Sequence, residues 1–246
     1  MEPAQEQGGE RLPVIRDAVG IGLATSTYGL SFGALAATAG LDLLQTCALS
    51  SLMFTGASQF AMVGVIAAGG NPFSGAAAAA LLGARNGLYG LHLAPLLRPR
   101  GRRRLFAAQF VIDESAAMTI GRRAPEAWLG FWAAGLSVFA FWNLATLLGA
   151  LGARALSDPS VLGLDVVAPA AFLALLAPRM TSREPWLIAA LGVAVALLLV
   201  GPLPPGLPIL AVACAATVAG LVLSRGEAAS APPEQTEQGG MEVMDQ

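Results

Sequence analysis

The sequence predicts an all-α fold: a polytopic membrane helix bundle of about seven transmembrane helices, some of them discontinuous, with a weak internal repeat. Three observations predict it. Of the 246 residues, 55% are hydrophobic and 12% are charged, against the roughly 25% charge of a soluble domain. The charges are clustered: between Ala18 and Leu97 the chain carries only Asp42 and Arg85. Between the clusters run apolar stretches near the roughly 20 residues that one bilayer crossing needs. Backbone groups in hydrocarbon must find partners within the chain, so these stretches are helices, and the alternation of a β-barrel is absent. A soluble enzyme, a nucleic-acid binder and a disordered chain are thereby excluded. The formal net charge of −2 gives no field that would gather nucleic acid.

Taken in order, residues 1–17 form a polar N-terminal tail with more acid than base, unlike the start of a secretory signal. A single transmembrane domain spans 18–224. Its first helix is Ala18–Ala39, ending at Gly40-Leu41-Asp42. The second, Leu43–Ala68, ends at the turn signal Gly69-Gly70-Asn71-Pro72. The third is Phe73–Leu97, with Arg85 in its middle. Leu105–Ile120 is weaker, because Asp113 and Glu114 interrupt it. Ala127–Ala153 is strong; Val161–Ala177 is short and carries Asp165. Trp186–Val200 and Leu207–Ser224 complete the set, and 225–246 is a disordered acidic tail.

All fourteen basic residues are Arg, and five of them fill RPRGRRR at 98–104. Positive loops stay cytoplasmic. That loop and Arg122-Arg123 bracket Leu105–Ile120, which is then re-entrant or interfacial. The count becomes seven spans with the N-terminus outside and the C-terminus inside, or six with the N-terminus inside if the Arg85 segment re-enters.

Polar groups inside the apolar slab are costly and mark functional sites by default. Arg85 is the clearest. Gly83, Gly87 and Gly90 around it weaken the helix, and a broken helix frees backbone groups to hold a ligand. A guanidinium fork suits a carboxylate; the alternative is a structural ion pair with Asp113 or Glu114. Phe54-Thr55-Gly56-Ala57-Ser58-Gln59-Phe60 reads either as close helix packing or as an unwound span whose backbone and Ser58 or Gln59 side chains face a substrate path. Asp113-Glu114 reads as a proton relay or as a solvated helix face. Cys47 and Cys214 read as small hydrophobes, His92 as one polar group near a helix end, and Trp128, Trp132, Trp142 and Trp186 as interfacial anchors. No catalytic, metal or cofactor motif is present.

The order FTGASQF (54–60), RNGLYGLHLAPLLRPR (85–100), DESAAM (113–118), LGLDVVAPAAFLALLAP (162–178) and GLPILAVACAATVAG (206–220) resembles the AzlC family over roughly Leu12–Ser224. The first two blocks are the specific ones. The resemblance implies the large subunit of an exporter of branched-chain amino acids, and by extension methionine, in the cytoplasmic membrane. It implies a small AzlD-type membrane subunit as partner and transport driven by the proton gradient without ATP. Ser58, Gln59, Arg85, Tyr89 and Asp113-Glu114 match the family pattern. Ser58, Gln59, Arg85 and Tyr89, with Gly56, Ala57 and Asn86 added on physical argument, are the expected substrate-site residues. Phe172 joins Phe54 and Phe60 as an apolar lining, and Asp113 and Glu114 are the expected proton-coupling residues. Family members often show N-x-R-H before the L-x-Y-G run. Here that stretch is Gly83, Ala84, Arg85 and Asn86, so a histidine-dependent proton step is not available at 86. Discontinuous helices are expected at Gly56–Gln59 and Gly83–Gly90, with Ala177-Pro178 as a counterpart in a second repeat. A non-transporting scaffold or sensor subunit is the other class; it has no need of an arginine in mid-membrane.

Overall fold

The computed structural model describes residues 3–155, 170, 173, 176, 177, 180–204 and 206–230. Among them every regular element is a helix: α1 (Pro3–Thr38), α2 (Leu43–Leu52), α3 (Ala57–Ala67), α4 (Pro72–Leu97), α5 (Arg102–Gln109), α6 (Asp113–Ala117), α7 (Ala124–Ala155), α8 (Arg183–Leu199) and α9 (Leu207–Ser230). The polar start of the chain is part of α1, which begins at Pro3. At the other end α9 runs past Ser224 to Ser230.

Among the described residues two helical stretches, Arg11–Thr38 and Pro125–Ala155, are long and apolar enough to cross a membrane by themselves. The expected seven spans are therefore seen only in part. Several of the apolar runs fold as shorter helices, because the chain breaks inside them. Large apolar side chains such as Leu44, Leu52, Phe73, Leu105, Leu197 and Leu198 stand on the outside. Surface of that kind suits hydrocarbon and is a liability in water.

The centre of the molecule is the pair α1 and α7. Gly29 and Gly33 on α1 form a small-xxx-small pair facing α7. A Cβ at Gly33 would run into the Thr146 carbonyl oxygen, and one at Gly149 into that of Leu30. The two backbones can approach this closely only where side chains are missing. Around this axis Phe32, Phe60, Phe131, Val138 and Trp142 build a buried core. Trp142 is 6% exposed, with its ring 6.4 Å from Phe32 and 6.5 Å from Phe60. It is a core residue, and its expected role as an interfacial anchor does not hold. Residue type suggested the anchor; its position on the α1-facing side of α7 decides otherwise.

Local chemistry explains the helix starts. Asp42, one of the two charges in the first eighty apolar residues, caps α2: its carboxylate accepts from Gln45 N at 2.7 Å, and Gln45 Oε1 accepts from Asp42 N at 2.9 Å. That reciprocal pair is a capping box. Asn71 caps α4 through Phe73 N at 2.8 Å, and Pro72 takes the first helical position, where its missing N–H costs nothing.

The segment 43–68 is broken at Met53–Gly56, so the break expected at Gly56–Gln59 lies a few residues earlier and Ala57, Ser58 and Gln59 open helix α3. The segment 72–97 is not broken. Helix α4 runs without interruption through Gly83, Gly87 and Gly90, so the expected break there is corrected. Glycine lowers helix stability by about 1 kcal/mol relative to alanine. Opening the helix would cost more, because the freed backbone groups have no partners in an apolar surrounding. The Leu105–Ile120 stretch is interrupted too: Phe110-Val111-Ile112 separate α5 from α6. The segment Val161–Ala177 lies almost wholly outside the described residues, as does the expected Ala177-Pro178 counterpart at Pro178.

Candidate functional site

The break between α2 and α3 survives because its exposed backbone groups find side-chain partners. A helix end leaves its last carbonyls unpaired. Gln59 Nε2 donates to the carbonyls of Leu49 and Ser50, each at 3.1 Å. Gln109 Nε2, from α5, donates to Ser51 O at 2.8 Å. Ser51 Oγ reaches Asn143 Oδ1 on α7 at 2.9 Å. Gly56 then turns the chain into α3 at φ 48°, a backbone region that disfavours a side chain. A Cβ there would meet only Trp142 Cη2 at 3.9 Å, so backbone conformation, not crowding, calls for glycine.

The second break is closed in the same manner. Ser115 Oγ donates to Phe110 O at 2.6 Å and accepts from Ile112 N at 3.1 Å, and Ser115 is buried. The two breaks face one cavity of about 420 Å³. That volume is at the small end of ligand pockets, which run from about 300 to 1,000 Å³. Its wall takes Thr55, Gly56 and Ala57 from the first break and Asp113 and Glu114 from the second. Arg85 and Asn86 come from α4, Thr25 and Tyr28 from α1, Trp142 from α7, and Phe54 and Phe60 give it an apolar side.

Arg85 Nη2 lies 3.0 Å from Asp113 Oδ2, with 33% and 28% of the two side chains exposed. The ion pair considered as the alternative reading of Arg85 is therefore present, and it stands on the cavity wall. It ties the continuous helix α4 to the start of α6. Three further wall residues carry buried polar atoms with no hydrogen-bond partner: Thr55 Oγ1, Asn86 Oδ1 and Trp142 Nε1. Buried polar groups are nearly always paired, so each orphan asks for an explanation. Helix α3 also begins here, with no side-chain cap, so the positive end of its dipole faces the same space.

Of the residues expected at a substrate site, Gly56, Ala57, Arg85, Asn86, Asp113 and Glu114 meet at this cavity. Gln59 is not on its wall; it is fully buried and seals the end of α2. Ser58 faces the other way, toward α4, where a Cβ at Gly83 would lie 3.4 Å from its Oγ. Tyr89 packs against the core and does not line the cavity. Phe172 lies outside the described residues. Thr25, Tyr28 and Trp142 join the cavity wall without a sequence signal for a site. The signal for the burial of Trp142 is the Gly29–Gly33 spacing, which turns α1 onto α7 and brings this tryptophan inside.

Neither a curated protein nor a solved structure matches the chain. The family model described as AzlC protein matches residues 20–156, which takes in both helix breaks, the Arg85–Asp113 pair and Trp142. That match covers more than half of the chain, and AzlC is a transporter-associated family: the chain belongs to the AzlC family.

Proposed function

We propose that the cavity binds a branched-chain amino acid, and that the chain is the large subunit of a two-component exporter in the cytoplasmic membrane. Its partner is a small AzlD-type subunit, and the proton gradient drives it. The observation that carries this reading is the set of unpartnered polar atoms lining a small, largely apolar cavity. A zwitterion supplies partners for all of them. Its carboxylate accepts from Trp142 Nε1–H and from the positive end of α3. Its ammonium donates to Asn86 Oδ1 and Thr55 Oγ1. A branched aliphatic side chain lies against Phe54, Phe60 and Val138.

The ion pair gives a route to coupling. Protonation of Asp113 removes the charge that holds Arg85, and the guanidinium can then take the substrate carboxylate. Loss of that proton returns Arg85 to Asp113 and releases the substrate. Methionine, unbranched but of similar bulk, suits the same apolar side.

The test is counterflow of labelled leucine in proteoliposomes holding the chain and its small partner. Trp142→Phe keeps the ring packing against Phe32 and Phe60 and removes only the N–H. A hydrogen bond to a charged group contributes about 1.5–3 kcal/mol, so the KM for leucine rises by roughly tenfold or more while the protein stays folded. Unaltered kinetics would remove Trp142 from the site. No counterflow by the unaltered pair, with any branched-chain amino acid or methionine, would favour the scaffold or sensor reading.

A further inference from the structure

A second cavity, of about 480 Å³, lies under the turn between α4 and α5. Its rim carries three guanidinium groups, Arg98, Arg100 and Arg103, and its floor is aromatic, with Phe106, Trp128 and Trp132. The floor is built: Phe106 stacks on Trp132 at 5.5 Å, and Trp128 lies 5.6 Å from Trp132. Trp128 Nε1 donates to Leu97 O at 3.0 Å, which fixes the indole beneath the end of α4. Arg98 closes that helix in the left-handed region at φ 43°, the one non-glycine residue with positive φ among the described residues.

No carboxylate among the described residues pairs with the rim arginines; Arg98 Nε donates to the Pro95 carbonyl at 3.1 Å. Among the described residues the ion pairs are Arg16 with Asp17 and Arg85 with Asp113; none involves the 98–104 turn. Glu126, in the first turn of the neighbouring α7, forms no ion pair with it. Three cations are thus gathered over a surface that is half open: Phe106 is 59% exposed and Trp128 43%. Structural arginines are normally paired, and aromatic rings left open beside them are the usual furniture of a membrane interface.

We propose that this cavity is a binding site for an anionic phospholipid of the leaflet that the 98–104 turn faces. The headgroup phosphate sits among Arg98, Arg100 and Arg103, where a guanidinium fork can donate two hydrogen bonds to phosphate oxygens. The first part of an acyl chain lies over Phe106, Trp128 and Trp132. A soluble anion satisfies the rim but leaves the aromatic floor bare; a neutral lipid does the reverse. Only a molecule with both parts answers the whole cavity. Basic pockets at helix ends are where anionic lipids bind. The site is separate from the amino-acid cavity and stands whether or not that cavity binds an amino acid.

The tryptophans report on it directly. The full-length chain with its partner is placed in phosphatidylcholine vesicles, and brominated phosphatidylglycerol or brominated phosphatidylcholine is titrated in to quench tryptophan fluorescence. The expected result is saturable quenching at lower mole fraction by the anionic lipid, with a preference of about fivefold for each arginine engaged. The triple variant Arg98→Gln/Arg100→Gln/Arg103→Gln loses the preference. The variant Arg102→Gln/Arg104→Gln, in the same basic run at the start of α5 but not lining the cavity, keeps most of it. Equal quenching by the two lipids in the unaltered protein overturns the proposal. So does equal loss in both variants, which would mean diffuse surface charge and no site. Displacement of the preference by millimolar inorganic phosphate, with no effect of chloride at matched ionic strength, would point to a soluble anion and overturn the lipid. Should the triple variant fail to fold, Arg100→Gln, at an exposed turn position, carries the comparison.

Discussion

Two glycine-bearing stretches flank the cavity that the helix breaks face, and they fold differently. Residues 43–67 break at Met53–Gly56, while residues 72–97 form one uninterrupted helix despite Gly83, Gly87 and Gly90. Glycine count does not separate them: the continuous stretch has the more glycines. What separates them is the supply of partners for the backbone that a break exposes. The 43–67 stretch has Gln59, Gln109 and Ser51 in place to take or pass on those hydrogen bonds. Around Gly83–Gly90 no side chain plays that part, and the helix keeps its own hydrogen bonds. Glycine permits a break, and polar side chains from elsewhere in the fold decide whether it happens. In α4 the small residues serve packing: a Cβ at Gly75 would meet Met62 O at 3.2 Å.

The largest effect is expected where the two stretches meet. The straight helix α4 carries Arg85 across to Asp113 at the second break. On the proposed function, Arg85→Ala abolishes leucine counterflow. Membrane abundance stays near that of the unaltered chain, because 28% of the Asp113 side chain is exposed and the large penalty for stranding a charge applies to fully buried pairs. Arg85→Lys recovers little, since an ammonium lacks the planar fork. Low abundance restored by adding Asp113→Asn would make the pair a structural clamp only. Normal counterflow in Arg85→Ala would take the residue out of the mechanism.

Gln59 gives the next largest effect. Replacing Gln59 with Leu keeps the bulk and removes the donor to Leu49 O and Ser50 O. The buried Ser50 carbonyl is then unpaired, while Leu49 O keeps the Met53 N–H at 3.0 Å, at a cost of about 1–3 kcal/mol. The variant should unfold at lower temperature in detergent and accumulate less in the membrane. Ser58→Ala, one position away but facing α4, should change stability far less. If the two variants behave alike, the side-chain seal is not what permits the break.

These positions also show what a sequence can and cannot disclose. A break near FTGASQF was legible, because Gly56 is a strong local signal, and the two carboxylates marked Leu105–Ile120 as a weak helix. The interruption itself falls just before them, at Phe110–Ile112, with Asp113 and Glu114 opening α6. Arg85 was legible as a site residue because it is one of two charges in a mostly apolar stretch of eighty residues and lies in the middle of an apolar run, where a charge is costly. Its partner was narrowed to two acids by scarcity alone. Gln59 looked like a ligand and proved to be a helix seal, because its partners lie 9 and 10 residues back and depend on how α3 folds against α2. Trp142 looked like an anchor, because nothing local says which side of α7 faces α1. The helix break expected in α4 failed for a related reason: a propensity is local, while the partners a break requires are not.

The smallest effects give the sharpest comparison of the two stretches. At Gly56 the backbone sits at φ 48° and ψ −87°, and alanine there should destabilise the protein by about 1–3 kcal/mol through backbone strain, although space for the methyl exists. At Gly87 the helix is regular and a Cβ would meet nothing within 4 Å. Alanine there should be neutral or stabilise by up to about 1 kcal/mol, since it lowers the entropy of the unfolded chain and suits a helix. Both are single methyl additions in apolar helical segments of one chain, so unfolding titrations in the same detergent compare them without other variables. Opposite signs are expected. If Gly56→Ala is neutral, the first break does not depend on its left-handed turn. If Gly87→Ala destabilises, the glycines of α4 serve more than packing, and the uninterrupted helix would have to open or bend there at some stage of its work.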